Sequence, residues 1–71
     1  MANNVKLQFG ERVRKLRKQR GWMLVELSVE TGIGRVFLSN LENGKHEPKL
    51  GTIKKLAKAF GLTASQLLKG I

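Results

Sequence analysis

Residues 24–43, LVELSVETGIGRVFLSNLEN, decide the fold of this chain. They contain two segments of helical length, residues 24–31 and 35–43, with only three residues between them. Helices joined so tightly must cross at a steep angle, and the turn needs a residue that tolerates positive φ, so we expect Gly32 to be the hinge. Four apolar side chains should hold the two helices together: Leu27, Ile33, Leu38 and Leu41.

The rest of the chain is also divided by glycines into segments about one helix long. The alternation of apolar and polar residues that is typical of strands is almost absent. With 71 residues, the chain has room for one small core and no second domain. We predict an all-α fold of five short helices, forming a single domain over residues 1–71 with its core at about residues 7–69.

Apolar side chains recur at helical spacing in the first and fourth segments. These positions are Phe9, Val13 and Leu16 in the first and Ile53, Leu56, Ala57 and Phe60 in the fourth. The first helix should end near Arg20, before Gly21, and its other faces are strongly basic. The fifth helix begins at Thr63 with Gln66 three residues later, which is the pattern of a capping box.

The charge balance favours a polyanionic partner. The chain has 14 Lys and Arg against 5 Asp and Glu, a formal net charge of +9. The alternative is that this charge only keeps a small protein soluble. The chain has no cysteine and a single histidine, His46, so we predict neither a metal site nor another cofactor. We expect His46 to be a solvated loop residue. No apolar run is long enough to span a membrane, and we expect a cytoplasmic protein.

Several short motifs, in a fixed order, make the chain resemble a known family. They are Phe9-Gly10-Glu11-Arg12, Leu16-Arg17, Thr31-Gly32-Ile33, Leu41-Glu42-Asn43-Gly44-Lys45 with Pro48, Ile53-Lys54-Lys55-Leu56-Ala57, Gly61-Leu62 and Leu67-Leu68. Across residues 9–68 the chain resembles the Cro and lambda-repressor type of helix-turn-helix proteins, the XRE-like transcriptional regulators. The resemblance implies a compact five-helix, lambda-repressor-like DNA-binding domain whose second and third helices form the helix-turn-helix motif.

The resemblance also implies which residues contact DNA. The third helix would lie in the major groove, where base edges are distinguishable. The positions assigned to base contacts are Arg35, Val36, Ser39 and Asn40, and those assigned to phosphate contacts are Arg12, Asn43, Gly44 and Lys45. In the last three, the backbone amides and the Lys45 ammonium would approach phosphates. The alternatives are a solvated helix face for the first set and a plain helix C-cap at Asn43-Gly44.

The other side of the third helix carries one charge. Phe37, Leu38 and Leu41 should face the core, and Glu42 lies beside them. Proteins similar to this one pair that glutamate with an arginine of the first helix, which is Arg17 here. The resemblance therefore implies a structural ion pair between Arg17 and Glu42.

The second helix departs from the family pattern. The family usually begins it with a capping Thr or Ser followed by Gln, whereas this chain has Met23 and Leu24, which removes a cap and an expected DNA contact. Val25 and Val29 stand where the family is usually polar, and with Met23 and Leu24 they could form an exposed apolar patch for a protein partner or a second subunit. The alternative, which a thin core favours, is that these side chains fold around Trp22.

The first function hypothesis is a transcriptional regulator, not an enzyme, that binds double-stranded DNA at a palindromic operator as a homodimer and represses transcription. It would be bacterial or phage-encoded, and nucleoid-associated when bound. The apolar end of the chain is the expected dimer surface, at Leu67, Leu68 and Ile71. The alternative is a protein-binding module, such as an antitoxin that binds a toxin through the apolar face from Met23 to Val29. Membrane docking of the basic first helix is disfavoured because the core needs its apolar stripe.

Overall fold

The computed structural model describes residues 4–71 and contains five α-helices. They are α1 (Val5–Gln19), α2 (Leu24–Thr31), α3 (Arg35–Glu42), α4 (Leu50–Phe60) and α5 (Ala64–Leu67). No strand occurs within residues 4–71, and the predicted all-α, five-helix fold is confirmed. The predicted domain also includes residues 1–3, which lie outside the described residues. None of these five helices is long and apolar enough to cross a membrane.

The helix ends follow local signals in the sequence. Gly32 is the C-cap of α2 with a φ of 74°, a left-handed conformation that glycine adopts without the penalty of a Cβ. α3 ends at Glu42, one residue earlier than predicted, and Asn43 is its C-cap. Thr63 and Gln66 form the predicted capping box: the Thr63 hydroxyl accepts the Gln66 N–H at 3.0 Å, and the Gln66 side chain accepts the Thr63 N–H at 2.9 Å.

All five helices share one cluster of buried apolar side chains. Its members are Phe9, Val13, Leu16, Leu27, Leu38, Leu41, Leu56, Ala57, Phe60 and Leu67. Trp22 stacks on Phe60 with ring centroids 5.8 Å apart, and the Arg20 guanidinium lies 4.9 Å from the centre of the Phe60 ring. α3 packs on α1 and α2, whereas α4 packs on α2 and α5. This arrangement leaves one side of α3 uncovered.

α1 and α3 approach each other closely at Gly10. A Cβ at this position would collide with the carbonyl oxygen of Leu41 and lie 2.7 Å from that of Glu42. Both obstacles are backbone atoms, so no side-chain rotation can relieve the contact. The absence of a side chain at Gly10 is therefore what allows α1 to lie against the end of α3.

The end of the chain corrects part of the predicted dimer surface. Leu67 is fully buried in the core, so the prediction that it lies on an exposed surface is wrong. The reason is the shortness of α5, in which Leu67 is the buried residue that attaches the helix to the rest of the protein. Leu68 is half-buried and packs against the same core, while Ile71 is 42% exposed.

Candidate nucleic-acid interface

The turn between α2 and α3 is fixed by side-chain hydrogen bonds. The Thr31 hydroxyl donates to the Leu27 carbonyl at 2.8 Å and accepts the Ile33 N–H at 3.1 Å. The Ser28 hydroxyl donates to the Ile33 carbonyl at 2.6 Å. Both polar groups of the Ile33 backbone are thus bonded to α2, so α3 begins from a well-supported turn. Sequence reasoning missed the role of Thr31, although Ser and Thr beside a tight turn often bond to nearby backbone.

α3 presents one side to solvent and buries the other. Arg35 and Val36 are exposed, Val36 to 77%, and Ser39 and Asn40 are partly exposed. The buried residues of the helix are Leu38, Leu41 and Glu42. The four side chains assigned to base contacts therefore share the uncovered side of α3, which is the arrangement that reading base edges requires.

The loop after α3 folds back on the end of the helix. The Gly44 N–H donates to the Leu41 carbonyl at 3.0 Å, and the Lys45 N–H donates to the Asn40 carbonyl at 2.9 Å. Gly44 has a φ of 77° and lies against Leu7 of α1, whose side chain would collide with a Cβ at Gly44. Lys45 itself remains exposed. The loop is thus held against both α3 and α1.

The hydrogen bonds of this loop change the predicted phosphate contacts. The N–H groups of Asn43, Gly44 and Lys45 all donate to carbonyls of α3, as in an ordinary helix C-cap. Amides that already have acceptors offer little to a phosphate. Contact with phosphate at this loop would therefore depend on the exposed side chains of Asn43 and Lys45.

An ion pair fastens α1 to the end of α3. Arg17 Nε donates to Glu42 Oε2 at 2.8 Å, and Arg17 Nη2 donates to Glu42 Oε1 at 3.0 Å. The third nitrogen, Nη1, donates to the Trp22 carbonyl at 2.9 Å. The hydrogen bond to Glu42 raises the pKa of Arg17. The buried Glu42 carboxylate thus has the bidentate partner that the resemblance implies.

Comparison with known proteins agrees with this geometry. Residues 10–71 match the family described as "Helix-turn-helix domain". The chain belongs to the XRE/Cro-type helix-turn-helix family. It is 36% identical over 69 residues to Control protein C.BamHI of Bacillus amyloliquefaciens. The aligned residues cover 96% of this chain and 85% of that protein.

Two further relatives of this helix-turn-helix protein differ in length. The HTH-type transcriptional regulator DdrOP3 of Deinococcus deserti is 39% identical over 61 residues, which span 86% of this chain but only 47% of the relative. The structure of the restriction-modification controller protein C.AhdI from Aeromonas hydrophila superposes with a TM-score of 0.81 at 31% identity, covering 86% of this chain and 92% of that one. These similarities place the chain among DNA-binding proteins of transcription regulation.

Arg12 of this helix-turn-helix protein is bonded to the end of α5. Its Nε donates to the Leu67 carbonyl at 3.0 Å, and its Nη2 donates to the Gln66 carbonyl at 2.9 Å. A helix end leaves carbonyl acceptors unsatisfied and favours a positive charge, which the Arg12 guanidinium supplies to α5. The structure therefore gives Arg12 a role in anchoring α5, while the phosphate contact of Arg12 stays a prediction.

Phe37 and His46 also differ from their predicted environments. Phe37 is 37% exposed and lies at the edge of the uncovered side of α3, so its assignment to the buried side is wrong. Its ring stacks on that of His46, with centroids 4.2 Å apart and planes 7° apart. His46 is consequently half-buried instead of being a freely solvated loop residue.

The start of α2 keeps most of its apolar side chains in solvent. Met23 is 69%, Val25 44% and Val29 76% exposed. The sequence favours the prediction that these three side chains and Leu24 fold onto the core around Trp22. Leu24 alone packs against the core, so the prediction is wrong for the other three. The core-facing side of so short a helix is already filled by Leu24 and Leu27.

The first turn of α2 has half of a capping box. Met23 occupies the N-cap position with an extended backbone and contributes no side-chain hydrogen bond, as the sequence predicts. The Glu26 carboxylate, three residues later, accepts the Met23 N–H at 2.6 Å. Beside this turn is a shallow groove of about 210 Å³, lined by Trp22, Val25, Glu26, Val29 and Glu30.

Proposed function

We propose that this protein is a sequence-specific transcriptional regulator that places α3 in the major groove of double-stranded DNA and represses transcription from a palindromic operator. The uncovered side of α3 carries the proposal, because Arg35, Val36, Ser39 and Asn40 lie on it while the opposite side is packed on α1 and α2. An α-helix fits the width of the major groove. The net charge of +9 and the similarity to control proteins support the same conclusion.

The four side chains differ in the bases that they can recognise. Arg35 can donate two hydrogen bonds to guanine, and the Asn40 amide can pair with adenine. Val36, which is largely exposed, can pack on a thymine methyl group. The Ser39 hydroxyl both donates and accepts, so it discriminates less between bases. We therefore expect Arg35 to contribute most of the sequence preference.

Phosphate contacts would set the register of α3 in the groove. Lys45 and Asn43 are exposed at the end of the helix, where they can reach the DNA backbone without disturbing the C-cap. Such contacts carry no sequence information but release counterions. Affinity for all DNA sequences should consequently fall as salt is raised.

A homodimer would place two copies of α3 in successive major grooves about 34 Å apart. Since Leu67 belongs to the core, the surface that supports a dimer is the exposed Ile71 beside the half-buried Leu68. Sedimentation equilibrium of wild type and Ile71→Lys tests this assignment. We expect wild type to dimerise and the variant to be monomeric with an unchanged circular dichroism spectrum. A wild-type monomer that also binds paired half-sites without cooperativity would contradict the dimer.

Selection of bound duplexes from random DNA tests the function as a whole. We expect wild type to enrich a two-fold symmetric motif, and Arg35→Ala to lose preference at one position of each half-site, at a cost of about 1–3 kcal/mol. Arg14→Ala is the matched control, since Arg14 is an exposed arginine on α1. Failure of folded wild type to enrich any motif would exclude sequence-specific recognition. An identical motif from Arg35→Ala would remove Arg35 from the base-reading set.

A second candidate function, binding of a protein partner, is favoured by one observation. Met23, Val25 and Val29 expose apolar surface on a chain whose remaining surface is rich in charge. The groove beside them is flanked by Glu26 and Glu30, so a partner with both apolar and basic side chains would fit. A toxin held by an antitoxin is one partner of this kind.

The double variant Val25→Glu, Val29→Glu tests the second candidate. We expect it to lose proteins that co-purify with wild type while its thermal unfolding stays unchanged. Leu50→Glu is the matched control, because Leu50 is a 70% exposed apolar residue on α4. An unchanged set of co-purifying proteins would exclude this surface as a partner site.

A further inference from the structure

We infer that Phe37 and His46 are positioning residues for phosphate binding: their stacked rings hold the loop after α3 so that Lys45 meets the DNA backbone. The inference rests on the proposed DNA-binding function. One ring belongs to α3 and the other to the loop between α3 and α4, and their centroids are 4.2 Å apart. The stack thus connects the helix that would read bases with the segment that would contact phosphate.

Backbone hydrogen bonds hold only the first part of this loop. The N–H groups of Gly44 and Lys45 donate to carbonyls of α3 at 3.0 and 2.9 Å. Those of His46 and Glu47 donate to no backbone carbonyl within residues 4–71. The part of the loop that follows Lys45 must therefore be held by side chains.

Among residues 4–71, two side-chain contacts can hold it. Lys6 Nζ lies 3.9 Å from a Glu47 carboxylate oxygen, and these side chains are 48% and 70% exposed. An ion pair so exposed is screened by salt and restrains the chain weakly. The contact of Phe37 with His46 is a stack of nearly parallel rings, which salt does not screen. At the salt concentrations of a cell, the stack is the stronger restraint.

The loop is restrained at Lys45 and at the residue that follows it. Its own N–H is bonded to the Asn40 carbonyl, and the next residue, His46, is stacked on Phe37. Because the backbone is already fixed on both sides, less backbone conformational entropy is lost when Lys45 binds a phosphate. Removing the stack frees one side of Lys45. The expected consequence is weaker binding to every DNA sequence, with base preference unchanged.

The experiment compares His46 variants of the full chain on two duplexes of about 20 base pairs, one selected by wild type and one of random sequence. We expect His46→Ala to weaken binding to both by roughly three- to tenfold. His46→Tyr retains a ring that can stack on Phe37 and should restore wild-type affinity. Glu47→Gln removes the neighbouring ion pair and is the matched control, with an expected change of less than about twofold. Unchanged binding by folded His46→Ala would overturn the inference.

A double-mutant cycle with Lys45 separates positioning from general support of the fold. In a Lys45→Gln background, His46→Ala should weaken binding by less than about twofold, because the contact that it positions is already lost. An equal effect of His46→Ala in both backgrounds would overturn the positioning role. The two duplexes keep the proposals separate. If wild type does not prefer its selected duplex, specific recognition fails, whereas the response of the random duplex to His46→Ala still decides this inference.

Discussion

The carboxylate of Glu42 accepts two hydrogen bonds from the guanidinium of Arg17, at 2.8 and 3.0 Å, and the two side chains are only 5% and 11% exposed. The pair joins α1 to the last turn of α3. A buried pair of this kind adds little relative to an apolar contact, but removal of one partner leaves the other charge buried and unpaired. The contribution of the pair to stability is therefore best measured by removing one partner alone.

Arg17→Ala should lower the free energy of unfolding by about 3 kcal/mol. The substitution strips Glu42 of its cation and also removes the donor to the Trp22 carbonyl. Urea unfolding followed by Trp22 fluorescence measures the loss. Arg14→Ala, on the exposed side of the same helix, should change the free energy by less than about 0.5 kcal/mol. Wild-type stability in Arg17→Ala would show that the pair has no structural role.

Gly10→Ala should destabilise the protein by about 2 kcal/mol, because the new methyl group would press on backbone carbonyls of α3. Gly51→Ala makes the same change in α4, where a Cβ meets no atom within 4 Å, and should stabilise the protein by up to about 1 kcal/mol. Thermal unfolding of the two variants gives the comparison. A midpoint that rises in both would mean that α1 and α3 can separate at little cost.

Arg12→Gln should lower the free energy of unfolding by about 1.5 kcal/mol, since the cation that bonds the carbonyls at the end of α5 is lost. The slope of log affinity for DNA against log salt should stay at its wild-type value. Lys45→Gln, which removes an exposed cation at the proposed phosphate site, should reduce that slope by about one. An equal reduction in Arg12→Gln would show that Arg12 contacts phosphate as well.

Met23→Thr should raise the free energy of unfolding by about 1 kcal/mol. The backbone at this position, with φ −84° and ψ 167°, already suits an N-cap, and Glu26 supplies the other half of a capping box. Met23→Ala is the control, because it removes the exposed thioether without adding an acceptor. Chemical unfolding of the three proteins measures the gain, and equal stability of the two variants would exclude a capping effect.

The sequence predicts the helices and the turn because these depend on local patterns. The spacing of apolar residues, the glycine at Gly32 and the pair Thr63 with Gln66 act within a few residues of their own positions. The partnership of Arg17 with Glu42 spans 25 residues, and it was predicted from the family resemblance and not from the pattern.

The failures are residues whose environment is set by distant segments. Leu67 is buried because the other helices leave room for one side chain of α5, which no local period reveals. In the sequence, Arg12 does not differ from the other basic residues of α1. Its environment is set by α5, which places two carbonyls beside it. Phe37 lies at the boundary between the two sides of α3, and it is the loop residue His46 that gives it a partner.

The side chains on the uncovered part of α3 are not needed by the core. Val36 is 77% exposed and Arg35 is exposed as well, while the support of α3 comes from Leu38, Leu41 and Glu42 on its other side. Mutations of Arg35 and Val36 should therefore lower the free energy of unfolding very little. If Arg35 and Val36 read bases as proposed, natural variants of this protein could acquire new target sites through such changes, and a laboratory library randomised at these two positions would keep most of its members folded.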